Sequence, residues 1–94
     1  MYKVPVILKD DYVVFFEPST AGVLIHCDVK TRWTKTVKKN LQEDWSTLRS
    51  LHSHRPMYAL HKPEQGDKHI RFLQMMGFKL LREYDGFELW TIGG

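Results

Sequence analysis

The sequence MYALHKPEQGDKHIRFLQMMGFKLLREYDGFELWTI, residues 57–92, changes its hydrophobic period several times. Residues 57–61 form a short apolar run of the kind found in buried strands, and a loop containing Pro63 follows. A helix is predicted to begin with Asp67 as its cap, because apolar residues then recur every three positions, at Ile70, Leu73 and Met76.

The end of this helix and the elements after it are marked by turn chemistry. Gly77 fits the left-handed position that stops a helix, and Phe78 then folds back on the last turn. A strand is predicted over residues 78–84 and another over Phe87–Ile92. Asp85-Gly86 between them is a strong signal for a two-residue hairpin.

Upstream of this stretch, three more apolar runs predict strands at residues 4–8, 12–16 and 23–27. The segment 17–22 is predicted to be a loop because it holds Pro18, Ser19 and Gly22. A long helix is predicted over residues 32–51, capped by Thr31 or Thr34, because apolar residues recur at spacings of four and three: Val37, Leu41, Trp45, Leu48 and Leu51.

The resulting order, β-β-β-α-β-α-β-β, predicts one α+β domain over residues 1–94 with a mixed, mostly antiparallel sheet. The strand–helix–strand unit favours a parallel pair, which we expect to splay near Cys27 and His61. Residues 12–16 are apolar on both faces, which helices on both faces of the sheet would explain. We expect the long helix on one face and the second helix either against it or on the opposite face. The predicted core is Val14, Phe16, Leu24, Leu41, Trp45, Leu48, Leu60, Leu73 and Leu89.

Composition restricts the functional classes. No apolar run approaches the ~20 residues of a membrane span, and the N-terminus lacks a signal-peptide pattern, so we expect a cytoplasmic protein with no membrane partner. Cys27 is the only cysteine, which excludes an internal disulfide and a thiolate zinc cage. The five histidines form no metal-ligand spacing, so no metal site is predicted. A net charge of +3 permits a polyanionic partner without demanding one.

This order of elements resembles the GNAT N-acetyltransferase superfamily, with the N-terminal strand and first helices of that fold missing. The detailed likeness lies in the last quarter of the chain, where DKHIRFLQMMGF, residues 67–78, is similar to the late GNAT helix that closes on Gly-Phe before a final hairpin. Residues 69–92 also resemble GNAT-like proteins of short-tailed bacteriophages, some of which are internal virion proteins. The resemblance implies an acyl-CoA N-acyltransferase fold and suspected binding of acetyl-CoA.

The segment that corresponds to the family's pyrophosphate loop departs from the family pattern. GNAT proteins carry glycines there, and these let backbone N–H groups approach the phosphates. Residues 28–36 contain no glycine, although the helix N-terminus still attracts anions. The resemblance therefore implies weak or absent acetyl-CoA binding, through Val29, Arg32, Thr34, Lys35 and Thr36.

Catalysis would require a general base and a proton donor for the departing thiolate. Glu17, His26 and His61 lie at or near predicted strand ends and are candidates for the base, although such residues also occur as ordinary hydrogen-bonded strand ends. The family's usual donor is a tyrosine in the late helix, and Leu73 stands at that position.

Three functions remain open from the sequence. The first is a protein-binding or virion-associated module with a degenerate acyl-CoA site, located in host cytoplasm or virion. The second is an active acetyl-CoA-dependent N-acetyltransferase that acts on an amine. The third is nucleic-acid binding, for which the first long helix supplies a basic stripe: Lys30, Arg32, Lys35, Lys38, Lys39 and Arg49.

Overall fold

The structure is a computed structural model that describes residues 3–20, 22–52 and 55–92. It has the predicted order of strands and helices, with one additional short 3₁₀ turn. The elements in chain order are β1 (Val4–Leu8), β2 (Tyr12–Ser19), β3 (Gly22–Val29), α1 (Lys35–Leu51), β4 (Met57–His61), the 3₁₀ turn (Pro63–Gln65), α2 (Gly66–Met75), β5 (Lys79–Tyr84) and β6 (Phe87–Ile92).

The strands form one six-stranded mixed sheet in the order β1-β2-β3-β4-β6-β5. Among the described strands, β3 and β4 are the parallel neighbours, and every other neighbouring pair is antiparallel. Their pairing covers only Val23↔Met57 and Leu24↔Tyr58. Beyond these positions β3 continues to Val29 and β4 continues to His61, but the two strands no longer pair with each other. The sheet therefore divides between β3 and β4.

The segment 17–22 is mostly strand, and the predicted loop was wrong. β2 and β3 pair without a break from Tyr12↔Val29 to Ser19↔Gly22. Pro18 is tolerated inside β2 because β1 reaches only Phe16 along the other edge of β2. No ladder hydrogen bond from an N–H of residue 18 is needed on that side.

Both helices pack on one face of the sheet, so the second helix takes the first of the two expected placements, and helices on both faces do not explain the apolar residues 12–16. The Tyr12 hydroxyl of β2 donates a hydrogen bond to Asp44 of α1 at 2.6 Å. The Trp45 indole of α1 donates to the carbonyl of Met76, just after α2, at 2.7 Å, and its ring stacks on Phe78. One continuous core joins this face of the sheet to both helices.

No helix of the described residues covers the opposite face, which we call the open face. The register places a set of mostly apolar, half-buried side chains there: Phe15, Leu24, Tyr58, Leu60, Phe87 and Leu89. Leu24, Leu60 and Leu89 were predicted to belong to the core, and they are only half-buried because nothing among the described residues lies above them. The other six residues of the predicted core are buried.

Local capping sets the helix ends. The Thr34 hydroxyl accepts a hydrogen bond from the Val37 N–H at 3.2 Å, so α1 starts three residues later than predicted. α2 ends where the Phe78 N–H donates to the Leu73 carbonyl at 2.9 Å and Gly77 takes a φ of 96°. Neither helix has the length and apolar content needed to cross a bilayer.

Candidate functional site

A cavity of about 450 Å³ occupies the division between β3 and β4, and we call it the split cavity. Because the two strands separate after Leu24 and Tyr58, side chains from both sides of the sheet reach this space. Its polar lining comes from β3, from α2 and its approach, and from residue 3 before β1: Lys3, His26, Cys27, Asp28, Gln65, Lys68 and His69. A ligand in the division would therefore meet several titratable groups as well as apolar side chains.

Two of the three predicted catalytic residues contact each other, and one of them, His26, lines this cavity. His26 Nε2 lies 2.8 Å from Glu17 Oε1, and both side chains are partly buried on the open face. Glu17 pairs with Leu24 and Phe15 with His26, so His26 lies two residues from the partner of Glu17 and projects from the same face as a diagonal neighbour. A carboxylate on one ring nitrogen orients the imidazole and leaves Nδ1 for a proton transfer.

The third predicted catalytic residue, His61, lies apart from this pair. It faces the helices, is buried, and its Nδ1 lies 2.8 Å from Nδ1 of His69 in α2, with the two rings stacked. Burial, and secondarily the neighbouring His61, lowers the pKa of His69 below its ordinary value. His61 itself lines a separate cavity beside Asp67, Glu83 and Glu88.

A second cavity of about 500 Å³ adjoins the split cavity between α1 and α2. We call it the cationic cavity because its charged lining consists of Lys38, Lys68 and Arg71. No carboxylate among the described residues lines it, and the two cavities share Val29, Lys68 and Phe72. Trp33 closes one side, with its ring 5.9 Å from that of Phe72.

The predicted cofactor-binding residues are distributed differently from the expectation. Val29 lines both cavities, whereas Arg32, Thr34, Lys35 and Thr36 are exposed and line neither. The Thr34 hydroxyl is already engaged as the α1 cap. The first-turn N–H groups of α1 still lack intrahelical acceptors, as in every helix, but the cations that face a cavity come mainly from α2.

No tyrosine is among the described residues that line the split cavity. Leu73 lines it where the resembled family has its tyrosine. Cys27 also lines it, and burial, with a smaller effect of Asp28, raises the pKa of its thiol to about 12. At neutral pH this thiol is protonated and is a poor acid.

Sequence patterns held a signal for the residues that were missed. Lys68, Phe72 and Met75 recur at spacings of four and three, which places one face of α2 along the cationic cavity. His69, Leu73 and Met76 recur with the same spacings and mark the buried face. The described residues contain no group of three or more His, Cys, Asp or Glu placed to hold a metal ion, and His54 lies outside them.

No protein-family model, curated protein or solved structure matches this chain. The resemblance to the GNAT superfamily therefore stays a prediction from the sequence.

Proposed function

We propose that this chain is a GNAT-like domain that binds an acyl-CoA-type ligand, with an apolar or acyl end in the split cavity and phosphates in the cationic cavity. The observation that carries the proposal is the adjoining of the two cavities at Val29, Lys68 and Phe72. The split cavity has apolar side chains beside groups of both charges, including Lys3, Asp28 and Lys68, whereas the charged lining of the cationic cavity is positive only. A long ligand with a phosphorylated carrier matches that polarity.

The phosphates are assigned to the cationic cavity because of its charge. Lys38 from α1 and Lys68 and Arg71 from α2 all line it, and no carboxylate of the described residues offsets them there. Trp33 and Phe72 supply apolar and aromatic surface beside these cations. Without a glycine loop the backbone cannot close around the phosphates, so side chains provide most of the attraction.

Acetyl transfer is proposed to be slow in this domain. His26, held by Glu17, is placed to accept a proton from an amine at the split cavity. Leu73 gives the departing thiolate no proton, and the Cys27 thiol is too weak an acid to replace a tyrosine. Water can protonate the leaving thiolate, so a low rate is expected rather than none.

The experiment is isothermal titration calorimetry with CoA and acetyl-CoA. We expect a dissociation constant no tighter than about 100 µM, equivalent to about −5.5 kcal/mol. Arg71→Glu should weaken binding at least about tenfold, because it replaces an attraction to phosphate with a repulsion.

Lys39→Glu is the matched control, since it makes the same charge change on an exposed α1 residue that lines neither cavity. Equal losses in the two variants would mean that only the overall charge matters. Absence of any heat or amide perturbation at 1 mM CoA would reject the proposal.

A second candidate function is association with protein, and a separate observation supports it. The open face presents apolar side chains that no other described part of the chain covers. This surface is on the opposite side of the sheet from the cationic cavity, but Phe15, His26 and Leu60 also line the split cavity, so a partner there would cover that side of the split cavity.

A further inference from the structure

We propose that two copies of this chain associate through the open faces of their sheets, about a two-fold axis that runs parallel to the strands. The proposal rests on three features of that face: its apolar centre, its area and the order of charges along one row. Some of these residues are shared with the candidate site, since Glu17 contacts His26 and both Phe15 and Leu60 line the split cavity.

The centre of the open face is apolar across four strands. Phe15 of β2, Leu24 of β3, Leu60 of β4 and Leu89 of β6 all project from it and are half-buried by their neighbours alone. In a sheet with one solvated face, these positions are normally polar. The Glu17–His26 pair interrupts these apolar side chains on β2 and β3. Large exposed apolar patches with a polar rim mark contact surfaces.

The available area is of the order that a stable pair requires. Strands spaced about 4.8 Å apart make a six-stranded sheet about 29 Å wide, and five to eight residues at about 3.3 Å each make it about 17–26 Å long. The flat area is therefore about 500–750 Å², before side-chain relief is counted. A standard interface takes about 800 Å² from each partner.

One row of side chains carries opposite charges at its two ends. The register links Glu17 to Leu24, Leu24 to Tyr58, Tyr58 to Thr91 and Thr91 to Lys79, across five adjacent strands. Directly paired residues project from the same face, so this whole row lies on the open face. Lys79 makes no ion pair with any described residue.

A two-fold axis parallel to the strands makes this row complementary to itself. The axis passes at Tyr58, the middle residue of the five in the row. In the second copy the five residues therefore run across the sheet in the opposite order. Glu17 then lies opposite Lys79 of the second copy, and Lys79 opposite its Glu17, so each ion pair forms twice. Facing sheets pack about 10 Å apart, which brings such side chains within reach of each other.

The test is sedimentation velocity on the full chain from about 1 to 300 µM. We expect a monomer–dimer equilibrium with a dissociation constant in the micromolar range, since the face lies at the small end of stable interfaces. Glu17→Lys and Lys79→Glu should each raise that constant at least about tenfold, because each replaces two attractions with two repulsions. The double variant should return to within about threefold of the starting protein.

Two further variants separate the open face from general surface effects. Leu89→Lys should abolish the dimer, whereas Leu51→Lys, at an exposed leucine on α1, should leave it unchanged. Far-UV circular dichroism checks that each variant is folded. If Leu89→Lys unfolds the chain, Lys79→Glu on the exposed strand β5 still tests the dimer.

A monomer at every concentration would overturn the proposal and leave the open face to a different protein. A dimer that is indifferent to both single charge changes, or a double variant that is not restored, would also overturn it. The Arg71→Glu titration tests the cationic cavity separately from these outcomes, because that cavity lies on the helix side.

Discussion

At the scale of single residues, the His61–His69 contact has a strict proton requirement. The two Nδ1 atoms are 2.8 Å apart, so one must carry a hydrogen and the other must offer a lone pair. Two fully protonated rings cannot keep this contact, since both Nδ1 atoms would then be donors. The contact joins β4 to α2, which forms a wall of both the split cavity and the cationic cavity.

This requirement predicts a loss of stability at mildly acidic pH. The folded-state pKa of His69 lies below the unfolded value of about 6.5, so the unfolded chain binds more protons as the pH falls. The contribution of His69 is therefore fully present above pH ~6.5 and is lost as the pH falls towards the folded-state pKa. Urea unfolding between pH 8 and pH 5 should show that the free energy of unfolding decreases as the pH falls. For one proton, the slope of this decrease should stay below about 1.4 kcal/mol per pH unit.

His69→Gln is the control for this prediction. A glutamine can still hydrogen-bond His61 but does not titrate, so the decline should become shallower. An unchanged pH dependence would show that other histidines cause the loss.

At the scale of elements, the connection between α2 and β5 depends on Gly77. Its φ is 96°, and an added Cβ would lie 2.9 Å from Cδ1 of Ile92. Gly77→Ala should therefore cost about 1–2 kcal/mol for the left-handed backbone and an additional amount for the collision. Adding Ile92→Val removes the colliding methyl and should recover the collision part in urea unfolding.

Gly86→Ala supplies the matched comparison. Gly86 has a φ of 90°, but a Cβ there would meet no atom within 4 Å. Gly86→Ala should therefore lose only the stability that the left-handed backbone costs. Equal losses at the two glycines, with no recovery from Ile92→Val, would contradict the assigned collision.

The sequence predicted β1, β4 and β6 with the same bounds that the structure has, because apolar runs and turn residues coincide there. It failed over residues 17–22, where Pro18 was taken to end a strand. Pro18 is compatible with β2 only because β1 is shorter than its neighbour, and strand lengths across a sheet are not visible in local composition.

At the scale of the whole molecule, the net charge of +3 does not form one continuous basic surface. Lys38 faces the cationic cavity, while Lys35 and Lys39 are exposed outside it. Arg49 is half-buried, and its Nη1 is enclosed without a hydrogen-bond partner among the described residues. The basic stripe predicted for nucleic acid is therefore divided among different environments.

This division predicts weak and salt-sensitive binding to duplex DNA. If the three cations of the cavity each neutralise one phosphate, affinity should fall about fortyfold between 50 and 200 mM salt. Fluorescence anisotropy with a labelled duplex measures the effect. Lys38→Glu should then weaken binding more than Lys39→Glu, whereas equal losses would favour the α1 stripe as the contact surface.

The sequence could not predict which faces of the sheet are covered by helices. The apolar residues 12–16 indicated cover on both faces of the sheet, and the structure provides it on one. Val13 is buried with no helix above it among the described residues, because neighbouring strands surround it. Hydrophobic period reports which side chains avoid water, and not whether a helix, a strand or a second molecule covers them.

Trp33 gives the protein an optical property that follows from its position. Trp45 and Trp90 are only 4% and 6% exposed, whereas Trp33 is 43% exposed and lines the cationic cavity. Buried indoles emit at shorter wavelengths than hydrated ones, so the long-wavelength part of the emission comes mainly from Trp33. A molecule that enters the cavity displaces water from this one ring, and the natural fluorescence of the chain then reports its arrival without any added label.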